Sequence, residues 1–214
     1  MAARSEELHR GDLTHGIGRA PQGLGPIILS FAGHVPQIDS TAWIAPGAAV
    51  VGDVDVGSES SIWYGAVVRG DVHCIRIGRR TNIQDQATVH VTRDRFSTLI
   101  GDEVTVGHRA VVHGCTIHPG ALIGIGAVVL DGAEVGEGAL VAAGAVVTPG
   151  SKVPAGQLAV GVPAQVVRRL SDDERSLQIE RTLGYVELAQ QHAREPAMGV
   201  RMGVPISEPG DGSS

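Results

Sequence analysis

An aliphatic residue returns at every sixth position over most of this chain. The spacing departs from six three times, with one interval of nine residues, one of eleven and one of five. A repeat of this kind decides the fold class before any single motif is considered. The 18 aliphatic positions are Ile44, Val50, Val56, Ile62, Val68, Ile77, Ile83, Val89, Ile100, Val106, Val112, Ile117, Ile123, Val129, Val135, Val141, Val147 and Val153.

Each six-residue unit also carries small residues at fixed places. The third residue after the aliphatic is often Gly, as at Gly65 and Gly126, and the fourth is mostly Ala, Ser or Thr, as at Ala66 and Ala127. Such a unit predicts a short strand followed by a tight turn, because Gly permits the positive φ that the turn needs. An amphipathic helix would need apolar residues at i, i+3, i+4 and i+7 instead.

This period and chemistry resemble the hexapeptide repeat of left-handed parallel β-helices. Three units form one triangular coil, so the 18 units predict an all-β left-handed parallel β-helix of about six coils. The left hand is implied by the resemblance, since crossover connections are usually right-handed. We expect a flexible N-terminal arm over 1–28, the β-helix domain over 29–168, a C-terminal α-helix over 169–195 and a disordered tail over 196–214.

The C-terminal helix has a recognisable start. Ser171 and Glu174 form the pattern of a capping box, in which the Ser side chain accepts from a backbone amide and the Glu side chain reaches back. Leu177, Leu183 and Val186 then suggest one apolar face. We expect this C-terminal helix to lie against the coil.

Charge and cysteine content narrow the range of partners and compartments. The net charge of −6 argues against nucleic acid or an anionic membrane as a partner. Two cysteines, Cys74 and Cys115, do not make a disulfide framework, so a reducing compartment is the default. The sequence also contains no apolar segment long enough to span a bilayer, and we expect a cytoplasmic location.

Histidines occupy matching slots of the repeat. His90 and His113 each follow an aliphatic residue directly and lie three units apart, which is one coil. Neighbouring coils are about 4.8 Å apart, so the two imidazoles stack in one column and can converge on one point. Arg69 occupies the same slot one coil below His90.

A second column lies on the adjacent face. His108 is the second residue after Val106, and Asp85 holds the same slot one coil below, with Gln84 beside it. His108 cannot easily turn toward the first column within its own chain. In a three-fold homotrimer, however, His108 of one chain would meet His90 and His113 of the next, and Arg69 would meet Asp85.

Three imidazoles with an open fourth position are a catalytic zinc arrangement. A lone histidine in such a repeat is usually a tolerated surface residue, but three in two matching columns favour a metal site. Cys115 lies two residues after His113 and is better explained as a buried free thiol than as a ligand. The other histidines lack this geometry, and we expect them at the surface: His9, His15, His34, His73, His118 and His192.

Several longer segments are similar to the γ-class carbonic anhydrase family of trimeric left-handed β-helices. They are "SIWYGAVVRGDV" (61–72), "TNIQDQATVH" (81–90), "VTVGHRAVVHGCTIHPGALIGIGAVVLDGA" (104–133) and "AVGVPAQVVR" (159–168). The resemblance implies a lyase that hydrates CO₂ reversibly to bicarbonate by a metal-bound hydroxide at a trimer interface. It implies His90, His108 and His113 as ligands of Zn²⁺, with Fe²⁺ or Co²⁺ as other possible metals.

The resemblance also implies roles for other residues at the site. Gln84 would orient the hydroxide or CO₂, Arg69 and Asp85 would hold the interface, and Asp85 could pass a proton out. The remaining expectations concern Asp71, which would position Arg69, and Tyr185, which resembles a helix tyrosine that approaches the site in relatives. Glutamates tied to proton shuttling in the archetypal enzyme are replaced here by Val72 and Arg93, which argues against fast proton export.

Two other classes of function stay open from the sequence. Hexapeptide-repeat proteins include acyltransferases that act on CoA substrates with a single His as general base, and a metal hydroxide could also hydrolyse a CoA thioester. A catalytically weak structural trimer that keeps the metal as a staple is the third class. Metal content and CO₂ hydration separate these from the first.

Overall fold

The computed structural model describes residues 25–195. The predicted tail over 196–214 and most of the predicted arm over 1–28 lie outside these residues. The first strand begins at Ile27, two residues inside the range that the sequence predicts as arm.

Twenty short strands and one helix make up the described chain. Most strands are two or three residues long, as a six-residue unit with a turn requires. The elements are β1 Ile27–Leu29, β2 Gln37–Ile38, β3 Trp43–Ile44, β4 Ala49–Val56, β5 Ser61–Ile62, β6 Val67–Ile77, β7 Asn82–Ile83, β8 Thr88–His90, β9 Thr98–Ile100, β10 Thr105–Val106, β11 Val111–His113, β12 Thr116–Ile117, β13 Leu122–Ile123, β14 Val128–Val129, β15 Glu134–Val135, β16 Leu140–Val141, β17 Val146–Val147, β18 Lys152–Val153, β19 Gln157–Val160, β20 Gln165–Arg169 and α1 Asp172–Arg194.

The strands stack in parallel into three faces of a solenoid. Face A joins β3, β5, β7, β10, β13, β16 and β19, and the antiparallel strand β20 closes its end. Face B joins β1, β4, β6, β8, β11, β14 and β17, and face C joins β2, β4, β6, β9, β12, β15 and β18. Strands β4 and β6 are long enough to continue from face B into face C, so their backbone hydrogen bonds unite these two faces in one sheet.

The register confirms the repeat that the sequence predicts. On face B, Val68 pairs with Val89 and Val89 with Val112, so the aliphatic positions lie directly above one another. Face A carries seven parallel strands, because the stack continues to Ala159, one unit beyond the last aliphatic position. The protein is therefore a parallel β-helix of about seven turns with a C-terminal helix.

Small and β-branched side chains fill the interior. The aliphatic positions and the corner alanines are almost all fully buried, for example Ile83 and Ala87 at 0% exposure. Burying each such valine or isoleucine stabilises the fold by about 1.5–3 kcal/mol. At the corners, Gly65 and Gly126 have φ of 68° and 65°, which confirms the predicted turns.

The two long intervals in the repeat have different structures. The nine-residue interval between Val68 and Ile77 continues as strand within β6. The eleven-residue interval between Val89 and Ile100 forms a loop, and a bridge between Thr92 and Phe96 closes it. The nine-residue interval shifts the register of β6 against β4 between Gly52 and Val54, and β6 then pairs regularly with β8 and β9.

Helix α1 begins as the sequence predicts. Ser171 is the N-cap; its hydroxyl accepts from the Glu174 amide at 3.1 Å, and the Glu174 carboxylate accepts from the Ser171 amide at 2.9 Å. The predicted capping box is thus confirmed. No helix within residues 25–195 is both long and apolar enough to cross a bilayer.

The helix lies against the coil as predicted, but the predicted apolar face is wrong. Leu177 and Leu183 are 43% and 41% exposed, Val186 is half-buried, and the buried helix residues are Gln178, Thr182 and Ala189. The surface beneath the helix supplies the reason, since it offers polar partners. Gln178 donates to the Gly120 carbonyl at 2.7 Å, and the hydroxyls of Thr182 and Thr105 lie 2.9 Å apart.

Aromatic side chains fix the other half of the helix to the first coils. Trp63 packs edge-on against Tyr185 with ring centroids 5.2 Å apart and against His192 at the same distance. His192 also bonds the Tyr64 hydroxyl through Nδ1 at 2.8 Å and stacks near Trp43. His192 is therefore not the plain surface residue that the sequence predicts.

Candidate metal centre

His90 and His113 lie side by side on face B. They end β8 and β11 and occupy paired positions in the ladder, so the strand register itself brings the rings together. Nδ1 of His90 is 3.1 Å from Nε2 of His113, and the ring centroids are 5.1 Å apart. The predicted stacking of these two imidazoles is confirmed.

Asp71 holds the other nitrogen of His90. Its Oδ1 lies 3.0 Å from His90 Nε2, and its Oδ2 contacts the Arg69 guanidinium. Partial burial raises the pKa of Asp71, but the hydrogen bonds with His90 and Arg69 outweigh burial and hold that pKa below its usual value. The carboxylate is therefore available as an acceptor over the neutral range.

Asp131 holds the other nitrogen of His113, and sequence reasoning missed it. Its Oδ1 lies 2.6 Å from His113 Nδ1, and its Oδ2 accepts from the Thr92 hydroxyl at 2.7 Å. Burial raises the pKa of Asp131, while the hydrogen bonds from Thr92 and His113 lower it by more, so the net shift is downward. The sequence does carry a signal, because Asp131 is the second residue after Val129, one coil above His113 and one slot later in the repeat.

His108 lies in the turn that follows β10 of face A, with a carboxylate of its own. Its Nδ1 is 2.9 Å from Asp85 Oδ2, so the predicted second column is confirmed. The His108 backbone amide donates to Gln84 Oε1 at 3.2 Å. Within residues 25–195 of one chain, no three histidine, cysteine or acidic side chains are grouped so that they could hold a metal ion. His108 therefore does not complete the His90–His113 pair inside the same chain.

A buried polar chain ties Gln84 to the helix. Gln84 Nε2 donates to Asn82 at 3.0 Å, and Asn82 Nδ2 donates to the Thr105 hydroxyl at 2.9 Å. Thr105 in turn contacts Thr182 of the helix. The side chain of Gln84 is thus fixed at both ends of its amide, by Asn82 at Nε2 and by the His108 backbone amide at Oε1.

A cavity of about 540 Å³ opens beside this polar chain. Its walls include Gln84, His108 and Tyr185, together with exposed apolar residues such as Ile125. Burial, and to a smaller extent the negative charge of Asp85, raise the pKa of the Tyr185 phenol. Tyr185 therefore keeps its proton and can donate a hydrogen bond into the cavity.

The donor set suits a metal ion of the zinc class. Each of the three histidines has one ring nitrogen held by an aspartate, which leaves the second nitrogen for a ligand bond, as is usual for metal-binding imidazoles. Nitrogens about 2.0–2.1 Å from a tetrahedral ion are about 3.3 Å apart, close to the 3.1 Å between His90 and His113. Cys115 fits no such role, because it is buried and burial raises the pKa of its thiol to about 12.

Comparison with known protein families identifies the repeat. The family described as "Bacterial transferase hexapeptide (six repeats)" matches residues 114–149. A structural relative, a hexapeptide transferase family protein from Anaplasma phagocytophilum, superposes with a TM-score of 0.75 at 40% identity, over 78% of this chain and 98% of that one.

Curated relatives match most of the chain. Gamma carbonic anhydrase 3, mitochondrial, from Arabidopsis thaliana is 52% identical over 175 residues, which are 79% of this chain and 68% of the relative. A Methanocaldococcus jannaschii protein named "Probable carbonic anhydrase" is 53% identical over 154 residues, 72% of this chain and 96% of that one. By its repeat, its stacked histidines and these identities, the chain belongs to the γ-class carbonic anhydrase family of hexapeptide-repeat proteins.

Proposed function

We propose that this protein catalyses the reversible hydration of CO₂ to bicarbonate at a metal site shared between neighbouring chains of a homotrimer. The observation that carries the proposal is the 3.1 Å approach of His90 to His113, with His108 in the turn after β10 and outside this pair in the same chain. The names of the relatives support the reaction class. A heterologous interface repeated three times closes a ring and brings face A of one chain to face B of the next.

The ligands in this proposal are His90 and His113 of one chain and His108 of its neighbour. Zn²⁺ is the metal that we favour, with Fe²⁺ or Co²⁺ as other candidates. These three neutral imidazoles would hold the metal, which would supply a nucleophile at neutral pH by lowering the pKa of water to about 7. Asp71, Asp85 and Asp131 would fix the three rings so that the free nitrogens point at one place.

Gln84 and Tyr185 would position the substrate. Gln84 Nε2 donates one hydrogen to Asn82, and its second hydrogen remains for CO₂ or the attacking oxygen. The Tyr185 phenol borders the same cavity and can donate to a bicarbonate oxygen. Arg69, already oriented by Asp71, would meet Asp85 of the neighbouring chain and hold the interface.

The hydration step releases one proton for each bicarbonate formed, and that proton must leave the site. Asp85 is about one-third exposed and is our candidate to pass it to solvent. Val72 is partly buried against the core and Arg93 is exposed, and neither side chain can carry a proton away at neutral pH. We therefore expect slow turnover that buffer accelerates.

Metal analysis combined with stopped-flow CO₂ hydration tests this function. Wild-type protein purified with zinc should bind about one Zn²⁺ per chain and hydrate CO₂. Wild-type protein prepared with iron under anaerobic conditions is assayed in the same way. His108→Ala should lose both the metal and the activity, because one of three ligands is missing. His118→Ala, which removes an exposed histidine of face C, is the matched control and should behave as wild type.

Equal hydration activity in wild type and His108→Ala would refute the metal mechanism.

The transferase description of the Anaplasma relative motivates the second candidate, acyl transfer or thioester hydrolysis on a CoA substrate. Release of free CoA from acyl-CoA, with no CO₂ hydration, would establish that candidate instead. A metal-loaded trimer with neither activity would establish a structural role.

A cytoplasmic location is part of this proposal. Both cysteines are free thiols in the structure, which suits a reducing compartment. Detection of the native protein in a membrane or secreted fraction after cell fractionation would contradict it.

A further inference from the structure

Asp131 stands between the second histidine of face B and a loop that interrupts the repeat. One carboxylate oxygen lies 2.6 Å from His113 Nδ1, and the other accepts from the Thr92 hydroxyl at 2.7 Å. Since a carboxylate accepts hydrogen bonds, the ring nitrogen that faces Asp131 is the donor, and in the neutral imidazole the lone pair is then on Nε2. That Nε2 is the atom that points at His90.

The loop that supplies Thr92 is the eleven-residue interval of the repeat. It closes through backbone bonds between Thr92 and Phe96, with both N–O distances at 3.0–3.2 Å. The Phe96 ring lies against Gly132, where a Cβ would approach the ring to 3.1 Å. The loop is thus seated on the turn next to Asp131.

Backbone geometry also leaves room for this contact. Gly114 follows His113 directly, has φ of 59°, and a Cβ at that position would lie 2.4 Å from Asp131 Oδ1. Only glycine therefore lets the carboxylate approach the imidazole so closely here. The inserted loop and Gly114 therefore both favour the hydrogen bond between Asp131 and His113.

We infer that Asp131 is the positioning residue that fixes the tautomer and ring orientation of His113 for metal binding, and that the loop between β8 and β9 holds Asp131 in place through Thr92. This inference rests on the metal site of the proposed function. It assigns to the loop a role that the sequence pattern alone does not suggest, because Thr92 and Asp131 are 39 residues apart.

Zinc affinity of the intact protein tests the inference, measured by competition with a chromogenic chelator. Asp131→Asn keeps the side-chain volume but removes the charge, and it should weaken zinc binding about 10- to 100-fold, as loss of such partners does at other metal sites. Asp94→Asn removes an exposed carboxylate from the same loop and should bind zinc as the wild type does.

Thr92 gives a second, milder variant. Thr92→Val should fall between wild type and Asp131→Asn in zinc affinity, and Thr92→Ser, which keeps the hydroxyl, should restore it. The visible absorption of the Co²⁺-loaded protein reports ligand geometry and should change in Asp131→Asn but not in Asp94→Asn. The melting temperatures of the metal-free variants show whether a loss of affinity comes only from poorer folding.

The outcomes separate this inference from the proposed function. A wild-type protein that binds no metal would overturn both. A wild-type protein that binds zinc, with Asp131→Asn equal to it in affinity and Co²⁺ spectrum, would overturn only the role of Asp131. Weaker binding that merely follows a lower melting temperature of the metal-free protein would also overturn it.

Discussion

Each of the three site histidines has an aspartate within hydrogen-bond distance of one ring nitrogen. A surface imidazole without such a partner rotates freely, and it loses side-chain entropy when a ligand orders it. The aspartates already order these three rings in the free protein, so that less entropy is lost when an ion binds. The pairs are His90 with Asp71 at 3.0 Å, His108 with Asp85 at 2.9 Å and His113 with Asp131 at 2.6 Å.

Cysteine reactivity gives a prediction at the residue scale. The thiolate is the reactive form, and burial raises the pKa of Cys115 to about 12, whereas Cys74 is only partly buried. Iodoacetamide at pH 8 should therefore label Cys74 in the folded protein and both cysteines after denaturation. Peptide mass spectrometry reads the two sites separately, and labelling of Cys115 as fast as Cys74 in the folded state would contradict the core position of Cys115.

The site residues show what counting along a repeat can and cannot find. Counting units placed His113 above His90 and His108 above Asp85, because parallel register preserves the slot from coil to coil. Counting does not find Asp131, because its carboxylate contacts His113 from the neighbouring slot of the repeat. Counting does not find Thr92 either, because Thr92 belongs to a loop and the repeat does not predict the conformation of an inserted loop.

The C-terminal helix is held by hydrogen bonds and rings rather than by an apolar stripe. Gln178 and Thr182 bond to the corner and strands of face A, and Tyr185 and His192 pack on Trp63. Periodicity of leucines could not predict this, since the helix lies on a surface that offers carbonyls and hydroxyls. Leucine exposed in one chain is free to contact a neighbouring chain in the proposed trimer.

The helix start gives a prediction about pH. The Arg168 guanidinium, with the Ser171 amide next in effect, lowers the pKa of Glu174 from 4.5 to about 2. A depressed carboxyl pKa stabilises the folded state above pH 4.5, and that contribution is lost as the pH falls from about 4.5 to about 2. Tryptophan fluorescence follows helix docking, because Trp43 and Trp63 both lie against His192.

Glu174→Gln isolates this contribution from other acid effects. Melting temperatures of the variant and the wild type should differ at pH 6 and converge as the pH approaches 2, whereas Glu180→Gln, at an exposed helix position, should follow the wild type throughout. A constant difference between Glu174→Gln and wild type from pH 6 to pH 2 would show that the carboxylate contributes nothing through its charge.

Across the whole molecule, the sequence predicts the solenoid well because one rule repeats in every turn. An inward aliphatic residue, a corner Gly and a small residue set the register of all three faces, and the ladders follow it coil by coil. The unit count gives about six coils and the stack has about seven turns, because β1 and β2 at one end and Ala159 at the other extend the stack beyond the counted positions. The assembly of chains depends on surfaces, about which the repeat says nothing.

Complementation between two inactive variants tests the shared site most directly. One variant carries His90→Ala with one affinity tag, and the other carries His108→Ala with a second tag. Each homotrimer lacks a ligand at every interface. In a mixed ring of three chains only one interface joins an intact His90 to an intact His108, so tandem purification should recover about one third of the wild-type zinc.

Zinc content and CO₂ hydration of the mixed assembly are the measurements. We predict that both rise to about one third of the wild-type value, because each mixed trimer restores one complete set of ligands. Mixed assemblies that bind no more zinc than either parent homotrimer would contradict a site built from two neighbouring chains.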